Sequence, residues 1–420
     1  GRAARVDVAG TDSGAKNPPP AVNAPANVSP PPSSATHAAP ARCPYTAPSP
    51  PGGGRVREGA WGVKAAEGLR WGVGRVQIPA NVGALCLVVI LADIIFGIIA
   101  PTFSLHARSL GIGLGALGVL NALNGIVQLV IAVPLGVLSD RIGRPILIIG
   151  GMACFAAGML CIAAARGLPL LILGRLFFGL AGVAVFQIGT AHLGDITAPG
   201  ERSFAFGLYA TAMGLGFTIG PLLGGQVAQR AGTAAAYAVG AAVAVAGCAL
   251  AARTIHRPAP RAGSGAGGRG LRAILGTLRR ADLALVSFGN LLVSWTFAGA
   301  ITTFFPLYGD SLGLSAATIG LFFALRAFIS ALGRLPNGLI VRAFGNQAVL
   351  FAALLVDLVV MFGLAATRTP WLLALLLAGE GLAFGAYLVA GQSYIADQTT
   401  IENRGTAVGL YGMASSIGGI

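Results

Sequence analysis

From about residue 80 onward the chain is built of long apolar runs separated by short polar breaks. The runs fall at roughly 82–105, 114–138, 146–165, 168–192, 204–227, 232–252, 283–307, 315–339, 347–366, 371–395 and 406–420. Each is near the length, about 20 residues, that crosses the hydrocarbon core of a bilayer as a helix. The breaks carry the charge. Between the second and third runs lies Gly136-Val-Leu-Ser-Asp-Arg-Ile-Gly-Arg144, with Asp140, Arg141 and Arg144 set between two nearly uncharged stretches. A tight loop between two spanning helices has to meet water, which accounts for charges in such a gap. The pattern predicts eleven membrane-spanning helices, the last one cut short by the chain end.

The runs also repeat. Leu110-Gly111 recurs as Leu312-Gly313, Gly136 as Gly338, Gly143 as Gly345, Asp195 as Asp397 and Gly207-Leu-Tyr209 as Gly409-Leu-Tyr411, always at an offset of 202 residues (397 − 195). A constant offset across five spans predicts two structural halves of six helices each in the same orientation. The first half ends near residue 252, so the second is expected to end near 454; on this reading the chain lacks part of helix 11 and all of helix 12. The boundaries that follow are a Pro/Ala-rich tail at 1–78, a first bundle at 79–252, a basic linker at 253–281 and an incomplete second bundle at 282–420.

Composition fits this picture. Hydrophobic residues make up 55% of the chain and charged ones only 10%, against about 25% in ordinary globular domains. The 63 glycines fit spanning helices, where Gly is commoner than in soluble ones. The formal net charge of +14 comes from arginine. With the tail inside, the inner loops hold 12 arginines (141, 144, 202, 253, 257, 261, 269, 272, 279, 280, 342 and 404) and the outer loops 4 (108, 166, 230 and 368). The positive-inside rule therefore predicts a cytoplasmic N-terminus and linker. No basic patch interleaved with stacking aromatics supports nucleic-acid binding. The five cysteines are odd in number and lack C-x-x-C spacing, so neither a disulfide framework nor a metal site is expected.

The tail holds 12 of the 24 prolines within residues 1–51 and only four acids before residue 79, Asp7, Asp12, Glu58 and Glu67. It cannot build a core and is expected to be disordered. A solvated tail, an over-extended reading frame and an Arg-rich transit peptide all fit this composition. The glycine-rich centre of the linker, Gly263 to Gly270, is not followed by Lys-Ser/Thr and so is not a P-loop.

Two six-helix halves with Gly136-x-Leu138-x-Asp140-Arg141-x-Gly143-Arg144 after helix 2 resemble the major facilitator superfamily. The resemblance covers about residues 82–420 and implies an all-α membrane protein, two six-helix bundles with pseudo-two-fold symmetry, the second truncated after the start of helix 11. The second copy of the loop has Arg342 in place of the Asp and Asn346 in place of the last Arg. Gly216-x-x-x-Gly220-Pro221-x-x-Gly224-Gly225 in helix 5 is similar to the signature of the drug:proton antiporter group, and its four-residue spacing also lets a neighbouring helix approach closely. Gly174-Arg175-Leu-Phe-Phe-Gly179 resembles the buried-arginine motif that the family links to proton coupling, and Asp93-x-x-x-Gly97-x-x-x-Pro101 in helix 1 is common in the same group. The resemblance assigns gating to Gly136, Asp140, Arg141, Gly143, Arg144 and Arg202, with Asp140 docking near residues 404–409 when the cytoplasmic side is closed.

Ionisable groups inside a span are costly and functional by default. Here they are Asp93, Arg175, Arg326, Arg334, Asp357 and Glu380. Asp93, near the middle of its helix, is the expected proton site, with Arg175 as its modulator; a fixed ion pair between the two is the plainer alternative. Arg326 and Glu380 are placed to pair across helices 8 and 10, while Asp357 lies on a helix that is peripheral in this fold. The expected substrate cavity is lined by Asn121, Asn124, Gln128, Gln187, Tyr209, Asn290, Trp295, Arg326, Glu380, Tyr387 and Gln392. So sparse a polar lining suits a hydrophobic or amphipathic substrate better than a sugar. The expectation is a monomeric secondary transporter in the plasma membrane that couples efflux of drug-like molecules or metabolites to protons and uses no cofactor or metal. A sugar or organic-anion symporter or facilitator, and a receptor or scaffold without flux, are the alternatives.

Overall fold

The computed structural model describes residues 80–198, 201–255, 280–399 and 401–420; the proline-rich tail and most of the 253–281 linker lie outside the described residues. Among the described residues the chain forms eleven helices. In chain order they are α1 Ala80–Ser109, α2 Leu114–Ile142, α3 Arg144–Ala163, α4 Leu168–Ile196, α5 Arg202–Ala231 and α6 Thr233–Thr254, then α7 Ala281–Ser311, α8 Ala316–Phe344, α9 Asn346–Ala366, α10 Pro370–Gln398 and α11 Ile401–Gly418. Ten of them are long and apolar enough to cross a membrane.

The 202-residue repeat is visible in the backbone. Left-handed glycines end α1 and α2 at Gly111 and Gly143 (φ 77° and 97°), and their counterparts Gly313 and Gly345 end α7 and α8 (φ 78° and 82°). A side chain would be strained in that conformation, so glycine is what lets α2 and α8 stop and the chain turn at once into α3 and α9. Pro134 inside α2 recurs as Pro336 inside α8. Ser315 caps α8, its hydroxyl accepting a hydrogen bond from the Thr318 amide at 3.2 Å.

One side of most helices is buried and the other is bare and apolar. On α9, Leu350, Ala353, Asp357, Val360 and Leu364 face inward, whereas Phe351, Leu355, Leu358, Val359 and Phe362 are at least half exposed. Such a belt would be an aggregation hazard in water but is the ordinary surface of a helix against lipid. α1 is the most buried span and packs along α5 and α6. The described cysteines are free, as their spacing implied.

The halves meet mainly where α5 crosses α8. A Cβ at Gly225 would lie 2.6 Å from the Ala316 carbonyl oxygen and 3.1 Å from Gly320 Cα. Ala100, Leu105 and Phe217 of the first half join Ile301, Phe305, Ile319 and Phe322 of the second in one apolar cluster that closes this end of the molecule. At the opposite end, where α2 turns into α3, Gly136, Gly207, Gly338 and Gly409 have nothing packed against them.

Candidate functional site: a cavity between the two halves

Glycine brings α1 and α5 together. A Cβ at Gly216 would meet Asp93 Cβ at 2.6 Å, one at Gly224 would meet Ile98 Cα at 2.8 Å, and Gly220 lies directly on Ile94 and Gly97. Pro221 lies against Gly97, and Gly225 faces α8 instead. The helix-5 signature is thus a two-sided packing surface. It fixes α1 on one side and the second half on the other, and its contact with α1 sets the height of Asp93.

Asp93 lines a cavity of about 350 Å³ shared by both halves. Gln128, Gly182, Phe186, Gln187, Met213, Gly214, Phe96 and Phe217 complete the wall of the first half, and Phe297, Arg326, Ala327, Ser330, Ala331, Arg334 and Phe384 form that of the second. Five phenylalanines form a chain across the divide: Phe186–Phe96 at 6.2 Å, Phe96–Phe217 at 6.3 Å, Phe217–Phe297 at 6.0 Å and Phe297–Phe384 at 5.2 Å between ring centroids. Tilted and edge-on rings at these separations attract one another beyond simple burial. Two helices widen into π-helical turns beside the cavity, at Val183–Gln187 and Thr296–Phe304, and these turns present Phe186, Gln187 and Phe297 to it. π turns in α-helices are frequent at functional sites.

The charges are distributed differently from the sequence expectation. Asp93 interacts electrostatically with Arg334 of α8, across the interface, and not with Arg175. Arg175 instead stacks on Phe103, its guanidinium carbon 3.7 Å from the ring centroid, beside Tyr237. Phe103 lies ten residues beyond Asp93, about 15 Å along α1. Among the described residues no ion pair joins Asp93 to Arg175. Arg326 and Glu380 do pair, through a two-pronged bond in which Nη2 donates to Oε1 at 2.7 Å and Nε donates to Oε2. Both are almost fully buried, and Arg326 also lies over Phe297 (4.0 Å) and Phe384 (5.0 Å). Glu380 thus sits behind the wall and Arg326 on it. Two cavity-wall polar atoms, Ser330 Oγ and Arg334 Nε, are buried without a hydrogen-bond partner.

Of the other expected lining residues, Gln128 and Gln187 reach the cavity. Asn121, Asn124, Tyr209, Asn290, Trp295, Tyr387 and Gln392 stand outside its wall. Three of them bond backbone carbonyls: Tyr209 donates to Phe186 at 3.2 Å, Asn290 to Tyr411 at 2.9 Å and Tyr387 to Val286 at 2.9 Å, whereas Asn121 Nδ2 and Asn124 Oδ1 are buried without a hydrogen-bond partner. Trp295 and Gln392 are exposed. Arg334 could be found from spacing, because Arg326, Ser330 and Arg334 recur every four residues along one helix face. The phenylalanines carried no such signal, since Phe is equally at home facing lipid.

In the loop, Arg144 at the start of α3 bonds Asp195 and the Ala191 carbonyl in the last turns of α4, tying the two helices together at one end of the first bundle. Asp140 is two-thirds exposed and sits 3.6 Å from Arg144. Arg141 is exposed, and Arg202 donates to the Gly194 carbonyl at 3.3 Å. The same contact recurs at the repeat offset in the second half, where Asn346 Nδ2 donates to Asp397 at 3.1 Å. An ion pair in one half is matched by a neutral donor on a carboxylate in the other.

The description Major Facilitator Superfamily belongs to the family model that matches residues 85–420. The chain belongs to the Major Facilitator Superfamily. Inner membrane transport protein YajR of Escherichia coli (strain K12) is 33% identical over 153 residues, 36% of this chain and 33% of that protein, so the match spans about a third of that relative's length. Multidrug resistance protein MdtG of Citrobacter koseri is 26% identical over 309 residues, covering 71% of this chain and 76% of the relative. Quinolone resistance protein NorA of Staphylococcus aureus is 26% identical over 133 residues, 32% and 34% of the two chains. Among solved structures, a bacterial homologue of the human lysosomal transporter Spinster, inward-facing and occupied, superposes with a TM-score of 0.68 at 17% identity, covering 80% of this chain and 78% of that one. The nucleoside transporter NupG gives 0.67 at 14% identity, covering 81% and 88%. At such identity these structures show the Major Facilitator fold alone. The chain is an integral multi-pass membrane protein of this superfamily.

Proposed function

We propose that this transporter is a proton-coupled exporter of hydrophobic or amphipathic small molecules, working as a monomer in the plasma membrane with its N-terminal segment in the cytoplasm. The observation that carries the reading is the placement of Asp93: a buried carboxylate on the wall of an aromatic cavity, opposite an arginine of the other half. A carboxylate so placed holds the halves in one electrostatic arrangement when ionised and another when protonated. That is what a proton must change if it is to drive alternating access around a midplane site. The five phenylalanines offer stacking and little hydrogen bonding, which suits drug-like or hydrophobic molecules. The resistance functions in the names of two relatives, and the helix-5 glycine surface, support export as the direction.

The binding step has its own test. In weakly buffered detergent solution, a lipophilic fluorescent dye that binds the cavity is expected to displace a proton from the wild-type protein and none from Asp93→Asn. Dye binding with no proton release by the wild type contradicts the coupling.

A further inference from the structure

We infer that the second half carries a proton-binding site of its own, at Asp357 of α9, built onto the Arg326–Glu380 pair. Asp357 lies on a helix that contributes nothing to the cavity wall, yet its side chain is turned inward and is 6% exposed. α9 packs on α10, α8 and α7, and each presents one polar group to it. From α10 comes Glu380, from α8 Arg326 and from α7 the Thr296 hydroxyl, in the π-helical stretch. The levels agree: Val360, one turn along α9 from Asp357, lies 3.6 Å from the Cβ position of Gly379, the neighbour of Glu380.

Two carboxylates therefore share one guanidinium in an apolar layer. Glu380 already uses both its oxygens on Arg326, and Asp357 Oδ1 is buried without a hydrogen-bond partner. With both acids ionised the cluster carries one uncompensated negative charge, an arrangement that proteins avoid by holding a proton between paired carboxylates. A proton on Asp357 brings the cluster to neutrality and leaves the two-pronged pair intact. Uptake is a plain transfer: a hydronium ion gives its proton to the Asp357 carboxylate, leaving water and a neutral carboxyl, and release reverses the step. No other bond changes.

Arg326 links this site to the cavity, because it lines the wall and stacks on Phe297 and Phe384. When Asp357 is ionised it competes with Glu380 for the guanidinium, and a turn of Arg326 toward it disturbs that aromatic stack.

The test requires no substrate and does not depend on the direction of transport. Infrared difference spectra of the purified full chain, titrated over pH, resolve the carbonyl stretch of protonated carboxyls. The wild type is expected to show a titrating band that Asp357→Asn removes and Asp93→Asn leaves in place. A spectrum unchanged by Asp357→Asn, or a band that it removes but that is present at every pH, overturns the site; the latter would mark a permanent structural donor. Should Asp357→Asn fail to fold, Asp357→Glu decides: a titrating band moved in frequency upholds the site, and a band left where it was overturns it.

Discussion

A guanidinium and a carboxylate deep inside a helical bundle are each expensive, and what matters is how fully they use one another. Arg326 and Glu380 do so through two bonds, with aromatic rings above the guanidinium. Removing the guanidinium strands both carboxylates. Arg326→Met is expected to lower stability by about 3–5 kcal/mol, the usual cost of an orphaned buried charge, whereas Glu380→Leu with Arg326→Met should recover most of that loss. Thermal unfolding in detergent checks both; equal losses in the single and double variants would show that packing and not charge sets the cost. The pair itself was legible in the sequence, because two opposite charges at matching depths in helices 8 and 10 have few other ways to be satisfied. The partner of Asp93 was not. Arg175 and Arg334 are both arginines inside spans, and only the packing of α1 against α5 and α8 decides which one Asp93 faces. Polar side chains such as Asn290, Tyr209 and Tyr387 misled for a related reason: a polar group in a span is as readily used to bond a neighbouring helix's carbonyl as to meet a substrate.

At the scale of elements, glycine spacing proved informative beyond the motif match. Gly216 and Gly220 allow α5 to lie against α1 with no side chain between them, and Gly225 does the same against α8. Gly216→Val is expected to push α1 off α5, displace Asp93 and abolish proton coupling, together with a clear loss of thermal stability. Gly207→Ala on the same helix, which meets nothing within 4 Å, should leave both unchanged. Flux and unfolding of the two variants check this, and equal damage from both would remove the packing argument. The repeat was readable as matched residues 202 positions apart, and the structure turns those residues into matched turns and contacts, down to the Arg144–Asp195 and Asn346–Asp397 pairs. The π-helical turns were not readable. A one-residue widening leaves the apolar run intact and changes only which side chains reach the cavity.

For the whole molecule, an apolar cluster of α1, α5, α7 and α8 residues joins the two halves. Asp140 is exposed and lies 3.6 Å from Arg144, and we propose that it is a gate latch and not a substrate ligand. Asp140→Asn should therefore slow transport several-fold while leaving substrate affinity nearly unchanged, read from flux and equilibrium binding; a large loss of affinity would make Asp140 a ligand instead. The overall architecture could be read because hydropathy, loop charge and the repeat all report on the same division of the chain.

The account stands or falls on Asp93. Full-length protein reconstituted in liposomes, with a pH-sensitive dye inside and a hydrophobic substrate added outside, gives the direct measurement. Substrate movement is expected to drive opposite proton movement in the wild type, and Asp93→Asn should bind substrate yet move no protons. Proton movement of wild-type size in Asp93→Asn would contradict the account.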